Sequence, residues 1–230
     1  PDSERFMEYV VTRCRESSVP VAVHLDHSPS FENCARGIHL GCTSVMFDGS
    51  ALPYEENVAI TKKVVEMARA AGVTVEAEIG HVSGHEGNML DGNIADESAF
   101  TTVEEAMQFY QDTQVDCLAV AIGTVHGVYK GEPHLDLDRL QAIRDELPIP
   151  VVIHGGSGLK EKDYKELVAH GANKINFFTT MTLAASEAVR KLLAEHDKLT
   201  MTDIIEVGQK AAEDIVSEHI EIFGTKPLTK

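Results

Sequence analysis

The chain has 230 residues, of which 43% are hydrophobic and 25% are charged, a composition typical of one globular domain with a large core. Its formal net charge of -17 argues against nucleic acid as a partner, because phosphate backbones are bound by basic surfaces. We expect no membrane partner, since no apolar run approaches the ~20 residues that span a bilayer.

Short apolar runs alternate with longer amphipathic segments along the chain. A first helix is predicted from near Ser3 to Glu16. Strands rich in Val and Ile are predicted over residues 19–25, 44–47, 73–77, 117–122, 150–153 and 174–178. Further helices are predicted over residues 54–71, 102–113, 136–147, 159–170, 180–195 and 202–223. Near-continuous apolar strands separated by helices are typical of parallel strands buried on both faces, so the predicted fold class is α/β.

Two parallel architectures suit the spacing between these strands: a (β/α)8 barrel and a doubly wound sheet. No G-x-G-x-x-G motif follows a first strand, which disfavours the dinucleotide-binding form of the doubly wound sheet. The four cysteines, Cys14, Cys34, Cys42 and Cys117, form no C-x-x-C pair. A chain of this size does not need disulfides to fold, so we predict a cytoplasmic protein with free thiols.

Three histidines are placed at the carboxyl ends of three different predicted strands. His27 ends the first apolar run, His126 follows the run that starts at Cys117, and His154 follows Ile153. The carboxyl ends of the strands carry the active site in a barrel, and three imidazoles with an open fourth position suit a catalytic zinc ion. Three unrelated capping or core histidines are the alternative, which the repeated placement disfavours.

Carboxylates occupy equivalent positions. Asp26 immediately precedes His27, Asp48 ends the second apolar run, and Glu78 ends the third. A carboxylate at a strand end is costly to desolvate unless it has a metal, a donor or a catalytic role. Asp26 is therefore a candidate catalytic residue. Asp48 and Glu78 are either partners that orient a metal-binding histidine, alternative metal ligands, or caps of the following helices.

A glycine-rich stretch over residues 154–158 leads into a predicted helix. Backbone amides freed by glycine, together with a helix amino terminus, bind anions. The stretch therefore predicts a phosphate site rather than a plain turn. Gly127, directly after His126, lets the backbone approach the same region. Lys130 either adds positive charge there or is a solvated surface lysine.

Six short stretches together resemble class II fructose-bisphosphate and tagatose-bisphosphate aldolases. They are residues 25–27 (LDH), 44–50 (SVMFDGS), 75–80 (VEAEIG), 119–127 (AVAIGTVHG), 154–158 (HGGSG) and 174–176 (KIN), in the order that the family has them. The resemblance implies a (β/α)8 TIM barrel and a single domain over residues 1–230. It also implies a carbon–carbon lyase that cleaves a phosphorylated sugar, a ketose, to dihydroxyacetone phosphate and an aldehyde. The loops and the tail look closer to the tagatose-bisphosphate branch.

The resemblance assigns roles residue by residue. His27, His126 and His154 match the ligands of Zn2+ or another divalent metal. Asp26 matches the acid that protonates the aldehyde oxygen, and Glu86 matches the base that removes the substrate α-proton. The matching substrate contacts are Gly127, Gly155, Gly156, Ser157, Asn176 and Thr179. Members of the family also use a monovalent cation, Na+ or K+, near the phosphate.

Further expectations follow from the resemblance. On the scale of a typical barrel, we expect roughly 55 residues before this chain, with the first two strands of the barrel, which this chain lacks. We also expect a homodimer or homotetramer. Phe178 stands where the family often has Asp, and the loop after Glu86 lacks a further acidic residue; both departures bear on the choice of aldehyde. We expect no strand-end lysine among the converging groups, and hence no Schiff base.

A metal-dependent hydrolase on the same barrel is the alternative function. Such sites usually carry His-x-His on the first strand, whereas this chain has His24 and His27. The predicted phosphate site would also be unused in a hydrolase that acts on a neutral substrate. These two features favour the aldolase.

Overall fold

The structure is a computed structural model that describes residues 3–84 and 94–228. Helices and strands alternate along these residues. In chain order they are α1 (Ser3–Glu16), β1 (His24–Ser28), α2 (Phe31–His39), β2 (Ser44–Phe47), α3 (Tyr54–Ala70), β3 (Thr74–Ile79), a 3-10 turn (Glu97–Ala99), α4 (Val103–Thr113), β4 (Cys117–Val120), α5 (Leu137–Glu146), β5 (Val151–Ile153), α6 (Glu161–Ala169), β6 (Ala172–Ile175), α7 (Thr179–Glu195) and α8 (Met201–Ile222).

The six strands form one parallel sheet in the order β1-β2-β3-β4-β5-β6. Each strand therefore pairs with the next one along the chain, as in a barrel, and not in the reversing order of a doubly wound sheet. This confirms the predicted α/β class and a barrel-like arrangement. The two further strands stay a prediction.

The sheet curls strongly. His27 of β1 and His154, directly after β5, approach to 2.8 Å between ring nitrogens. In a flat sheet these strands would lie about 19 Å apart, four times the spacing of neighbouring strands. The curl gathers the carboxyl ends of the strands around one point.

The core lies between the sheet and the helices. Helices α3 to α6 each bury apolar side chains completely, among them Val64, Phe109, Leu140 and Leu167. Val75 and Ala77 of β3 belong to this core. Because successive strand residues point to opposite faces, Glu76 and Glu78 lie together on the concave face of the sheet.

One local prediction was wrong, and one helix was missed. Residues 19–23 are not strand, and Val19 and Val21 are exposed, so apolar content alone misled the assignment. Helix α2 was not predicted, although Ser30 caps it by accepting a hydrogen bond from the Asn33 amide at 3.2 Å. None of the described helices combines the length and the apolar character that crossing a bilayer requires.

Candidate metal and substrate site

Three histidines converge at the carboxyl ends of the strands. One nitrogen of each of His27, His126 and His154 lies within 4.8 Å of the others. The rings meet edge to face, with centroids 4.8 Å apart for His27 and His126, 4.5 Å for His27 and His154, and 5.8 Å for His126 and His154. The structure therefore brings together the three predicted metal ligands, called the histidine site below.

The backbone of His27 is in an unusual conformation. Its φ is 43°, in the left-handed region, and the register between β1 and β2 shifts between Leu25 and Ser28. Regular alternation would place His27 on the face opposite Asp26, whereas this bulge turns both side chains toward the site. A residue other than glycine held in this region costs on the order of 1–3 kcal/mol. Such strain commonly accompanies functional sites.

In two of these histidines, the ring nitrogen that faces away from the centre of the site contacts a carboxylate. His27 Nδ1 lies 2.7 Å from Asp48 Oδ2, and His154 Nε2 lies 2.8 Å from Glu76 Oε1. Each carboxylate accepts the ring N–H, which leaves His27 Nε2 and His154 Nδ1 facing each other at the centre. The contact of Asp48 with His27 suits the orienting role, which was one of the predicted alternatives for Asp48.

Glu78 faces the centre of the histidine site. Its Oε2 lies 3.7 Å from His154 Nδ1 and is buried, with no hydrogen-bond partner among the described residues. Burial raises the pKa of Glu78 to about 8, and the charge of Asp48 adds to the shift. A divalent cation among the imidazoles would stabilise the ionised carboxylate. This placement suits an alternative metal ligand.

The negative charges around His27 and the neutral ring of His126 also favour a cation in the histidine site. Burial lowers the pKa of His27, but Asp48, Asp26 and Glu78 outweigh it and raise that pKa to about 9. Burial and the other two histidines lower the pKa of His126 to about 4, so that this ring is neutral and offers a lone pair. Three imidazoles with a nearby carboxylate form a donor set that Zn2+ and similar ions accept, so the residues present fit a divalent metal.

Glu76 is a central residue that the sequence analysis missed. Its side chain is 1% exposed, and its Oε2 lies 2.7 Å from Lys174 Nζ of β6. The expectation that no strand-end lysine lies among the converging groups was therefore wrong. The Lys174 ammonium is bound to the Glu76 carboxylate. The alternation of Glu76 and Glu78 in β3 was the available signal for Glu76.

Asp26 points into an open cavity beside the histidine site. Asn176 Nδ2 donates to both of its carboxylate oxygens, at 3.2 and 3.1 Å, and His24 Nε2 lies 3.6 Å away. Burial raises the pKa of Asp26, but His24 and the charges of His154, His27 and Lys174 outweigh burial and hold that pKa well below its usual range. The structure thus joins the predicted acid to Asn176, a predicted substrate contact.

Two of the cavities that His27 lines hold several of the predicted site residues. One, of about 430 Å³, is lined by Asp48, Glu78 and His126 among others. The second, of about 550 Å³, is lined by Asp26, Lys174, Asn176 and Phe178 among others. Both volumes lie within the range of small-molecule sites, roughly 300–1,000 Å³.

The glycine loop (residues 155–158) is fixed by its neighbours. Gly155 has a φ of 66°, and a Cβ there would lie 2.5 Å from the Val125 carbonyl oxygen. The Gly156 N–H donates to the Asn176 carbonyl at 3.0 Å, and the Gly156 carbonyl accepts from the Tyr164 hydroxyl at 2.7 Å. Gly156 therefore lets a ligand come close to the backbone, but its N–H is already bound and does not remain free for an anion.

The remaining predicted substrate contacts lie around this loop. Ser157 is buried, and its Oγ accepts from the Phe178 N–H at 3.1 Å. Thr179 is buried at the start of α7, and Gly127 is buried with a φ of 81°. The loops that follow β4, β5 and β6 thus come together at one side of the histidine site.

One predicted residue, Lys130, is not part of this cluster. Lys130 is exposed and lines a different cavity of about 160 Å³ with Phe100 and His134 among others. Glu86, the predicted base, lies outside the described residues.

Known sequences resemble this chain over nearly its full length. A sequence model described as "Fructose-bisphosphate aldolase class-II" matches residues 2–227. The fructose-bisphosphate aldolase of Staphylococcus aureus (strain N315) is 42% identical over 215 residues, which cover 93% of this chain and 73% of that protein. The fructose-bisphosphate aldolase of Staphylococcus epidermidis is 41% identical over 214 residues, with the same two coverages, 93% and 73%.

Solved structures give the same result. The YdjI aldolase from Escherichia coli K12 superposes with a TM-score of 0.85 at 32% identity, covering 97% of this chain and 77% of that one. The fructose-bisphosphate aldolase from Campylobacter jejuni superposes with a TM-score of 0.73 at 22% identity, covering 96% of this chain and 75% of that one. This second likeness concerns the fold alone.

Proposed function

The chain belongs to the class II fructose-bisphosphate aldolase family, whose members are lyases, and we propose that it catalyses the reversible, metal-dependent cleavage of a phosphorylated ketose to dihydroxyacetone phosphate and an aldehyde. Fructose 1,6-bisphosphate, tagatose 1,6-bisphosphate and related ketose 1-phosphates are the proposed substrates. The observation that carries this proposal is the convergence of His27, His126 and His154 beside Asp26.

The divalent metal would be held by His27, His126 and His154. We propose zinc, since three imidazoles are a common ligand set of catalytic zinc. Asp48 orients His27 through its outer nitrogen, and Glu78 is placed to act as an alternative ligand. When bound, the ion supplies Lewis-acid polarisation of the substrate ketone.

Asp26 is the proposed proton carrier for the aldehyde oxygen. In cleavage, its ionised carboxylate accepts the proton of the hydroxyl group whose carbon becomes the aldehyde, while the carbon–carbon bond breaks. In condensation the same carboxyl group returns that proton to the aldehyde oxygen. Asn176 donates to both oxygens of Asp26 and so holds the group toward the cavity. Proton transfer by one such group contributes roughly 100- to 10,000-fold in rate.

Glu86 is the proposed base for the other proton, on the α-carbon of dihydroxyacetone phosphate. This assignment rests on the family motif around residue 86. A separate base is chemically required, because Asp26 serves the oxygen that belongs to the aldehyde half of the substrate.

The substrate phosphate is proposed to lie at the glycine loop. The proposed contacts are Gly127, Gly155, Gly156, Ser157, Asn176 and Thr179. The amino terminus of α7, a helix of 17 residues, adds partial positive charge at Thr179. A monovalent cation, Na+ or K+, near this phosphate is part of the proposal. Lys130 is not, given its place in another cavity.

The comparisons favour the aldolase over the hydrolase alternative. A cytoplasmic location and assembly into a homodimer or homotetramer stay predictions. The substrate can be identified by incubating the zinc-loaded protein with dihydroxyacetone phosphate and a panel of phosphorylated and neutral aldehydes. We expect a ketose product from at least one aldehyde, and its stereochemistry will assign the branch of the family. If no aldehyde of the panel gives a product, the proposed function is wrong.

A further inference from the structure

The ion pair between the buried Glu76 and the partly exposed Lys174 has no part in the chemistry proposed above. Lys174 Nζ lies 2.7 Å from Glu76 Oε2, and the two side chains are 37% and 1% exposed. A carboxylate buried this deeply is costly unless every oxygen is satisfied. The cost of burying Glu76 therefore indicates that this carboxylate has a role at this position.

The two oxygens of Glu76 have different partners. Oε1 accepts from His154 Nε2 at 2.8 Å, and Oε2 accepts from Lys174 Nζ at 2.7 Å. Glu76 lies on β3, His154 follows β5, and Lys174 lies on β6. One carboxylate thus connects three separate strands.

The His154 ring could present either nitrogen to a ligand, because a ring flip exchanges the two. The bond to Glu76 removes this freedom, since it uses Nε2 and leaves Nδ1 directed at His27 Nε2, 2.8 Å away. We propose that Glu76, held by Lys174, is a positioning residue that commits Nδ1 of His154 to the metal. This inference rests on the metal-dependent function proposed above.

Lys174 has its own part in this arrangement. A free carboxylate next to the histidine site would compete with the imidazoles for a cation. The ammonium group holds Oε2 away from that centre and balances its charge. Glu76 therefore contributes orientation to His154 and little net charge.

Zinc affinity tests the inference without an activity assay. We would measure the zinc dissociation constant by competition with a chromogenic chelator, at a temperature where far-ultraviolet circular dichroism shows the metal-free protein to be folded. Glu76→Gln should weaken zinc binding about 10- to 100-fold, as loss of a partner of a metal-bound histidine does. Glu66→Gln, a change of the same chemistry on the exposed face of α3, should leave the constant unchanged.

A double variant separates orientation from charge. In Glu76→Gln alone, the amide oxygen can accept from only one of the two donors, Lys174 or His154, so the amide NH2 must face the other donor. Glu76→Gln/Lys174→Met removes that conflict, so the amide oxygen can accept from His154 Nε2. The double variant should bind zinc more tightly than Glu76→Gln and should remain foldable even if the single variant does not.

The ring nitrogens themselves give a direct readout. Nitrogen-15 correlation spectra of the zinc-loaded protein should show His154 protonated at Nε2 and metal-bound through Nδ1. Metal-bound Nε2, or a folded Glu76→Gln protein with the zinc affinity of the unaltered chain, would overturn the inference. Failure of the unaltered chain to bind zinc would instead contradict the proposed function.

Discussion

Asn176 donates two hydrogen bonds to Asp26, at 3.2 and 3.1 Å, across 150 residues of chain. Asp26 lies on β1 and Asn176 directly follows β6, the two strands at opposite edges of the sheet. This contact bridges the edges at the point where the second cavity opens. The proposed proton carrier and a proposed substrate contact are thereby fixed to each other.

Asp26→Asn should separate the two halves of the reaction. The amide cannot take the hydroxyl proton, so cleavage of the ketose should fall roughly 100-fold or more. Exchange of the α-proton of dihydroxyacetone phosphate with deuterated water should continue, because that step does not use Asp26. Proton NMR follows the exchange, and Asp197→Asn, an exposed position, is the control. Loss of both activities to the same degree would contradict the assignment.

Glu86→Gln should give the opposite result. Without the base, the α-proton of dihydroxyacetone phosphate should stop exchanging, and cleavage should fall with it. Zinc binding should stay unchanged in the same preparation, which the chelator competition measures. If the variant exchanges at the rate of the unaltered protein, Glu86 is not the base.

Asp48→Asn should weaken the metal site through His27. The Asp48 carboxylate accepts from His27 Nδ1 at 2.7 Å, and an amide in its place can present a donor to the same nitrogen. We expect a loss of roughly 10- to 100-fold in zinc affinity. The affinity of the folded protein for dihydroxyacetone phosphate at saturating zinc should change less. An unaltered zinc constant would show that Asp48 does not orient His27.

Gly155→Ala tests the glycine loop against a matched control. Gly155 and Gly72 have nearly equal φ values, 66° and 70°, but a Cβ at residue 155 meets the Val125 carbonyl oxygen at 2.5 Å, whereas a Cβ at residue 72 has nothing within 4 Å. Both variants carry the backbone cost of about 1 kcal/mol or more. Only Gly155→Ala should also raise the KM for the phosphorylated substrate, by roughly tenfold for each 1.4 kcal/mol of lost contact. Equal KM values in the two variants would show that the glycine loop does not contact the substrate.

The sequence predicted the strand ends well and the contacts between them only in part. Histidines at three strand ends predicted the cluster of His27, His126 and His154, because parallel strands place their carboxyl ends at one edge. The φ of 43° at His27 accompanies a bulge in β1. The position of that bulge depends on the pairing of β1 with β2, which the local sequence does not reveal.

Contacts between residues far apart in the chain were the main feature that the sequence did not predict. Lys174 and Glu76 are 98 residues apart, and their contact depends on the curl of the sheet. The alternation in β3 indicates which residues share a face, but not which strand lies across from them. The apolar residues 19–23 were taken as strand because periodicity does not distinguish a buried run from an exposed one.

The central claim is that three histidines hold a metal on which cleavage depends. The most direct measurement is release of dihydroxyacetone phosphate from fructose 1,6-bisphosphate and tagatose 1,6-bisphosphate by the purified protein, before and after chelation, after return of zinc, and with borohydride present. We predict turnover of at least one substrate, its loss on chelation, its return with zinc, and no inactivation by borohydride. Turnover that survives full metal removal, or borohydride trapping of the substrate on Lys174, would contradict the account.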